Sequence, residues 1–166
     1  MTSSDPMQSE SGADVITENA VSEIRRSLRR NQEEQMAAAP KKRLLIVDDS
    51  DFMLQTMRDL FGSDYEVTIA RSGMSAIRDL AFDRPDLILL DYEMPVCNGK
   101  QVLEMIRADR EFHDTPVIFL TNKVDKESVK KALALRPEGY LSKSLPAEVI
   151  KSEVDHFFEH KRKRTL

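Results

Sequence analysis

Three carboxylates each stand at the end of an aliphatic run in this sequence. Asp91 follows four consecutive aliphatic residues, 87–90, and Asp48 and Asp49 end the run that begins at Arg43. Four aliphatic residues in succession are typical of a strand that is buried on both faces, as in a parallel sheet. In open α/β sheets, ligands bind beyond the carboxyl ends of the strands. If both strands lie parallel in one sheet, the three carboxylates meet at one edge.

A hydroxyl and an amine end two further strands predicted along the chain. The run 116–121 ends in Thr121, and the short run 139–143 ends in Lys143. Clustered carboxylates repel one another and need a cation, and hard oxygen ligands of this kind suit Mg²⁺ together with phosphate oxygens. A lysine and a hydroxyl can bind the remaining phosphoryl oxygens. The set therefore predicts a carboxylate nucleophile that accepts a phosphoryl group, with Mg²⁺ as its cofactor.

Strand and helix patterns alternate from Lys41 onward. Strands are predicted at about 43–48, 65–70, 87–90, 116–121 and 139–143, and helices at about 50–61, 73–82, 100–109, 125–134 and 146–158. Apolar residues at helical spacing predict the inward faces, among them Met53, Met57 and Leu60, then Val129 and Leu133, then Val149, Ile150, Val154 and Phe157. Five βα units with short connections predict an α/β fold, a doubly wound five-stranded parallel sheet of flavodoxin-like order with helices on both faces.

The ordered set of motifs resembles the receiver domain of bacterial response regulators over about residues 41–160. The matching residues are Asp48-Asp49-Ser50, Asp91 with Met94-Pro95 and Asn98-Gly99 after it, Thr121, Tyr140 and Lys143. The resemblance implies that Asp91 is the phosphoacceptor, that Lys143 and Thr121 bind phosphoryl oxygens, and that Tyr140 rotates as Thr121 moves. The metal ligands that it implies are Asp48, Asp49, Asp91 and the backbone carbonyl of Glu93.

The sequence departs from the family pattern at the mouth of the predicted site. Ser144 follows Lys143 where the family commonly has a proline behind a cis bond. Two outcomes are open here, a retained cis bond and a trans bond with a looser Lys143, and we expect trans because cis costs about 2.5–4 kcal/mol before a non-proline residue. Asn122 stands where a small residue is usual. Glu93, Asn122 and Lys123 are predicted to govern how water reaches the acyl phosphate, so the motif does not set its lifetime.

An extension of 40 residues precedes the predicted domain. Residues 1–16 are rich in Ser, Asp and Glu and are expected to be disordered. From 17 to 36, Val21, Ile24 and Leu28 recur at helical spacing, which predicts an amphipathic helix. Two alternatives stay open for it, a self-association or partner helix and a solvated helix. Residues 161–166 are interpreted as a basic tail.

Composition limits the function classes. The 166 residues carry a formal net charge of −4, so broad nucleic-acid affinity is not expected. No apolar run is long enough to span a bilayer, and no secretory signal is recognisable, so no membrane association is expected. The single cysteine, Cys97, excludes an intramolecular disulfide framework and favours the cytoplasm.

No output domain is recognisable after the helix predicted at 146–158, so we expect a stand-alone receiver, which by the resemblance catalyses only its own phosphorylation and dephosphorylation. It would take its phosphoryl group from a sensor histidine kinase or a phosphotransfer protein. A downstream protein would then read the surface formed by 125–134, 139–143 and 146–158. One alternative is a phosphate sink or scaffold without such a partner. A remote alternative, an aspartyl-nucleophile phosphatase of the haloacid dehalogenase type, lacks the Asp-x-Asp that it needs at the first strand.

Overall fold

The structure, a computed structural model, describes residues 13–37, 40–122 and 125–164. The chain divides into two compact units, 1–40 and 41–166. The described part of the first unit is one helix, α1 (Ala13–Ala37), whose side chains from 18 to 34 are all exposed. The helix begins before the predicted start at Thr17, so the expectation of disorder is wrong for residues 13–16. Residues 1–12, Ala38 and Ala39 lie outside the described residues.

The second unit alternates strands and helices, and its sheet is entirely parallel. Its elements are β1 (Arg43–Val47), α2 (Asp51–Phe61), β2 (Glu66–Ala70), α3 (Gly73–Leu80), β3 (Leu87–Leu90), α4 (Gly99–Ala108), β4 (Val117–Thr121), α5 (Lys126–Leu133), β5 (Gly139–Ser142) and α6 (Ala147–Arg164). The strand order is β2-β1-β3-β4-β5. This order confirms the predicted doubly wound, flavodoxin-like fold.

Two apolar layers cover the two faces of the sheet. On one face, α3, α4 and α5 contribute Ala76, Val102 and Ala132 to a cluster with Phe119. On the other face, α2 and α6 contribute residues such as Phe61 and Val154. All four residues of β3 and all five of β4 are buried, because helices cover both of their faces. The buried central strands therefore fix the positions of the residues that follow their carboxyl ends.

The strand register sets the positions of the chemical groups. Val47 of β1 pairs with Leu90 of β3, so the next residues, Asp48 and Asp91, stand side by side. The amide of Asp91 donates to the carbonyl of Val47 at 2.9 Å, which continues the ladder by one step. On the far side of β4, the amide of Lys143 donates to the carbonyl of Thr121 at 3.1 Å.

Tight helix caps keep the connections at this edge short. The side chains of Ser50, Ser72, Asn98 and Asp125 each accept an amide of the first helical turn that follows a strand. At the opposite edge, the guanidinium of Arg107 donates to four backbone carbonyls, those of His113, Thr115, Leu135 and Arg136. Arg107 thereby ties together the connections that lead into β4 and β5.

Three details of the predicted helices are wrong. Val149 is 40% exposed, because Ile150 and Val154, four residues apart, occupy the stripe of α6 that faces the sheet. Leu133 is exposed, and Ala132 takes the inward position on α5. Helix α6 continues through Arg164 and so includes most of the predicted basic tail, since no proline or glycine interrupts it and cations favour a helix C-terminus.

Among the described residues, no helix is long and apolar enough to cross a membrane.

Tyr65 joins the end of α2 to α6. Its ring lies 5.7 Å from the ring of Phe61 and 5.3 Å from that of Phe158, and its hydroxyl donates to Asp155. Lys151 holds the same carboxylate at 3.0 Å and that of Asp64 at 2.9 Å. Burial, followed by the hydrogen bond to Asp155, raises the pKa of Tyr65.

The raised pKa of Tyr65 predicts a loss of stability in alkali. A proton that the folded state holds more tightly stabilises it fully below the pKa in the unfolded state, about 10, and this contribution disappears as the pH rises through the folded pKa. Tyr65→Phe should cost about 1 kcal/mol at neutral pH and should show a smaller further loss of unfolding free energy above about pH 10. Urea denaturation across this range is the measurement. Parallel pH profiles for the two proteins would contradict the expectation.

Candidate functional site

The three predicted carboxylates converge at the carboxyl edge of the sheet. One oxygen from each of Asp48, Asp49 and Asp91 lies within 4.8 Å of the others. Asp48 is only 2% exposed and Asp91 only 4%, whereas Asp49 is exposed. Two of the acids thus lie in the floor of the site, and the third stands at its opening.

Lys143 reaches across the edge to both buried acids. Its Nζ lies 2.6 Å from Oδ2 of Asp48 and 2.9 Å from Oδ2 of Asp91. Because β4 separates β5 from β3 in the sheet, the long lysine side chain spans the end of β4. The structure therefore brings together four of the predicted site residues, three acids and one ammonium.

The cluster holds three carboxylates against one ammonium, and burial acts on the pKa values of Asp48 and Lys143. Burial raises the pKa of Asp48, and the hydrogen bonds that Lys143 and the amide of Ser50 donate offset only part of this effect. Burial opposes the charged form of Lys143, but the hydrogen bonds and charges of Asp48 and Asp91 outweigh it, so its pKa is raised. An excess of negative charge with fixed oxygen donors is a setting that attracts a further cation.

The donor set fits a hard divalent cation. All three candidate ligands are carboxylates, and the exposed position of Asp49 leaves one side open to water and to substrate oxygens. Mg²⁺ prefers one or two carboxylates with several waters, and it is held together with phosphate oxygens in many sites. The residues present therefore suit Mg²⁺ at this position.

Backbone amides hold the carboxylates in place. The amide of Glu93 donates to Oδ1 of Asp91 at 3.2 Å, and the amide of Ser50 donates to Oδ1 of Asp48 at 2.9 Å. Each acid thus has one oxygen bound to the backbone and the other bound to Lys143. This arrangement fixes the rotamers of two carboxylates before any ligand arrives.

The loop after Asp91 folds back tightly against the strand end. A Cβ on Gly99 would lie 2.1 Å from the carbonyl oxygen of Asp91, so only glycine fits there. The amide of Gly99 also donates to the carbonyl of Tyr92 at 3.0 Å. At Val96 the backbone has φ 69°, and the amide of Cys97 donates to the carbonyl of Pro95 at 2.7 Å, as in a γ-turn. Asn98-Gly99 thus closes the loop, which explains its place in the motif.

The predicted switch residues occupy neighbouring strands. Thr121 is fully buried at the end of β4, where it pairs in register with Ser142. Tyr140 pairs with Phe119, is half-buried, and packs against the cluster beneath α3, α4 and α5. Burial, with smaller contributions from nearby Tyr92 and carboxylates, raises the pKa of Tyr140 to about 12. The coupled movement of Thr121 and Tyr140 stays a prediction.

A row of three aromatic rings lies beside the site and is not predicted from the sequence. The ring of Tyr92 lies 5.5 Å from that of Phe119 at 61°, and the ring of Phe119 lies 5.7 Å from that of Tyr140. The row starts at the residue directly after Asp91 and ends on the edge strand β5. The only sequence signal was the placement of two aromatic residues near strand ends, which does not indicate contact.

The remaining predicted residues lie around the opening. Glu93 and Asn122 are exposed, and Lys123 lies outside the described residues. No described peptide bond is cis, so Lys143–Ser144 is trans as expected, and the amide of Ser144 donates to the hydroxyl of Ser142 at 3.1 Å. Lys143 nevertheless reaches both acids. The role of the Glu93 carbonyl as a metal ligand stays a prediction.

Comparison with known proteins identifies the family to which this fold belongs. The family model described as the response regulator receiver domain matches residues 44–155. The polar-differentiation response regulator DivK of Brucella ovis is 38% identical over 114 residues, which cover 63% of this chain and 89% of DivK. Several other curated relatives are longer, and this chain spans between 11% and 54% of their length.

Solved structures agree with this similarity. The chemotaxis protein CheY4 of Vibrio cholerae superposes with a TM-score of 0.66 at 26% identity, covering 70% of this chain and 98% of CheY4. The Mn(2+)-bound form of the response regulator Rcp1 gives a TM-score of 0.60 at 28% identity, covering 68% of this chain and 88% of Rcp1. The family model covers more than half of the sequence, so this chain belongs to the response regulator receiver domain family.

Proposed function

We propose that this chain accepts a phosphoryl group on Asp91 from a phosphohistidine of a sensor histidine kinase or phosphotransfer protein, and that phosphorylation changes its affinity for a downstream protein. Receiver domains are generally signalling modules of two-component systems rather than enzymes that turn over external substrates. The observation that carries the proposal is the ammonium of Lys143, held between the buried carboxylates of Asp48 and Asp91. If Asp91 were not placed to act as a nucleophile, these three side chains would form only an ion pair.

In the proposed reaction an oxygen of the Asp91 carboxylate attacks the phosphorus. The new O–P bond forms as the P–N bond to the donor imidazole breaks, and the imidazole leaves with a proton from solvent. Lys143 would transfer its hydrogen bonds from the carboxylates to a phosphoryl oxygen, and Thr121 would donate its hydroxyl to another. Bound Mg²⁺, held by Asp48, Asp49 and Asp91, would supply the charge neutralisation that the equatorial oxygens need.

The downstream protein would contact α5, β5 and α6. Strand β5 is an edge strand, and Tyr140 lies on it next to Phe119. Exposed apolar side chains flank this strand on both sides, Leu133 on α5, Leu145 in the connection and Val149 on α6. Apolar side chains that are exposed together around one edge strand support a protein-binding surface. We further propose a cytoplasmic location and no nucleic-acid partner, on the single cysteine and the acidic net charge.

Helix α1 would associate with a partner or with a second copy of the chain. Its apolar residues Val21, Ile24 and Leu28 lie one after another along one stripe and are all exposed. A 25-residue helix without a packed face is marginal in water, so a covered stripe would explain its persistence. This helix lies outside the residues 44–155 that match the family model.

Phosphorylation of Asp91 is the first prediction of the proposed function. Incubation with acetyl phosphate and Mg²⁺ should add one phosphoryl group to the wild type, and Asp91→Asn should abolish it because the carboxamide is no nucleophile. Intact-protein mass spectrometry is the measurement. Asp114→Asn, a substitution of an exposed carboxylate at the opposite edge, is the matched control and should label normally. Equal labelling of Asp91→Asn and wild type would refute the assignment.

Dependence of metal binding on Asp48 and Asp49 is the second prediction. Asp48→Ala and Asp49→Ala should each weaken Mg²⁺ affinity at least tenfold, about 1.4 kcal/mol, because each removes a charged ligand. Isothermal titration calorimetry measures the affinity, and circular dichroism checks that the fold is intact. Wild-type Mg²⁺ affinity in both variants would remove these acids from the ligand set.

A role for the extension is the third prediction. Deletion of residues 1–38 should lower the oligomeric state or weaken partner binding, because it removes the exposed stripe of α1. Light scattering coupled to size-exclusion chromatography reads the oligomeric state, and pull-down with and without beryllofluoride reads the partners. Ile24→Asn in the full chain is the milder variant, and Ser22→Asn on a neighbouring position is its control. If truncation changes neither readout, α1 is a solvated helix.

A further inference from the structure

A groove of about 820 Å³ opens at the edge of the sheet opposite Asp91. It lies between α6 and the amino-terminal ends of β4 and β5, where Ile118, Leu141 and Phe157 contribute apolar lining. Polar groups surround this lining, among them two of the three histidines of the chain. Neither the phosphoryl chemistry nor the family match, which ends at residue 155, involves this part of α6.

The two histidines stand one helical turn apart on the same side of α6. His156 and His160 have the spacing i and i+4, which places their side chains one above the other. Their ring centroids are 6.5 Å apart with an interplanar angle of 64°, and both residues line the groove. Both are exposed, so small rotations about their side-chain bonds are not blocked by packing. A helical His-x-x-x-His pair is an arrangement in which two imidazoles bind one metal ion.

Three carboxylates line the same groove, although the only group of three such ligand atoms within 4.8 Å of one another among the described residues is that of Asp48, Asp49 and Asp91, so side-chain rotation or water has to supply a third ligand to the histidine pair. Glu153 precedes His156 by three residues on α6, and Asp114 and Glu138 line the groove from the connections before β4 and β5. These acids add negative charge around the imidazoles and offer a third ligand. Lys161 also lines the groove, but its Nζ lies 5.9 Å above the ring of Phe157. The charge of Arg107 also interacts with Glu138 and Asp114, so these two acids are partly neutralised.

We propose that His156 and His160 bind a first-row transition-metal ion, with Zn²⁺ as the probe, and that a groove carboxylate and water complete its coordination. Imidazole favours Zn²⁺, Ni²⁺ and Cu²⁺, whereas the all-carboxylate cluster at Asp91 favours Mg²⁺, so the two edges of the sheet differ in metal preference. A ligand from Asp114 or Glu138 would tie α6 to the ends of β4 and β5. The site is independent of the proposed phosphorylation.

Zn²⁺ titration of the full chain tests the proposal. Isothermal titration calorimetry is run in excess Mg²⁺, so that the carboxylate cluster is occupied, on wild type, His156→Gln, His160→Gln and the double variant. Each single substitution should weaken Zn²⁺ binding at least tenfold, and the double variant should lose it. His113→Gln, which removes the third histidine of the chain, is the control; because His113 Nε2 lies 3.0 Å from Oδ2 of Asp114, it should weaken Zn²⁺ binding no more than Asp114→Gln does.

A second readout locates the ion. In the wild type, Zn²⁺ should shift the imidazole carbon–proton NMR signals of His156 and His160 and leave those of His113 in place. Glu138→Gln and Asp114→Gln should weaken binding less than loss of either histidine. Equal Zn²⁺ affinity in the wild type and the double histidine variant would overturn the proposal. Equal weakening in His113→Gln would do the same, since it would show that any surface histidine suffices.

Discussion

The ammonium of Lys143 is the group on which the site depends. It lies 2.6 Å from one oxygen of Asp48 and 2.9 Å from one oxygen of Asp91, and both acids are almost fully buried. Two buried carboxylates side by side would repel each other strongly without a cation. The side chain comes from β5, two strands away from β3, and must cross the end of β4. The fully buried Thr121 is short enough to let it pass.

The same edge requires tight connections, and these account for residues that do no chemistry. Gly99 approaches the carbonyl of Asp91 so closely that any side chain would force the strand end to move. Val96 is a β-branched residue at φ 69°, a backbone conformation that is unfavourable for such a residue. Its side chain is 98% exposed, so burial does not offset this cost. Its conformation follows from the γ-turn that returns the chain from Pro95 towards the cap residue Asn98. The γ-turn, rather than packing of the Val96 side chain, therefore sets the backbone conformation of this loop.

Much of this arrangement was predictable because strands that are buried on both faces leave a clear signal. Aliphatic runs ending in acids located β1, β3 and the carboxylates, and the alternation of elements predicted the sheet order. Helical faces were less predictable, since short stripes such as Val149-Ile150 fit two orientations and only packing against the sheet selects one. Contacts between side chains of different strands were not predictable. The row Tyr92, Phe119 and Tyr140 depends on register, which the sequence does not display.

The row of Tyr92, Phe119 and Tyr140 connects the strand end at Asp91 to the surface of β5. Tyr92 is covalently next to Asp91, and its ring packs on Phe119, which is fully buried and in turn packs on Tyr140. Protein interiors are close-packed, so a shift of the Asp91 backbone that moves Tyr92 has to be accommodated by Phe119. This row makes β5 the strand where the proposed signal would leave the domain.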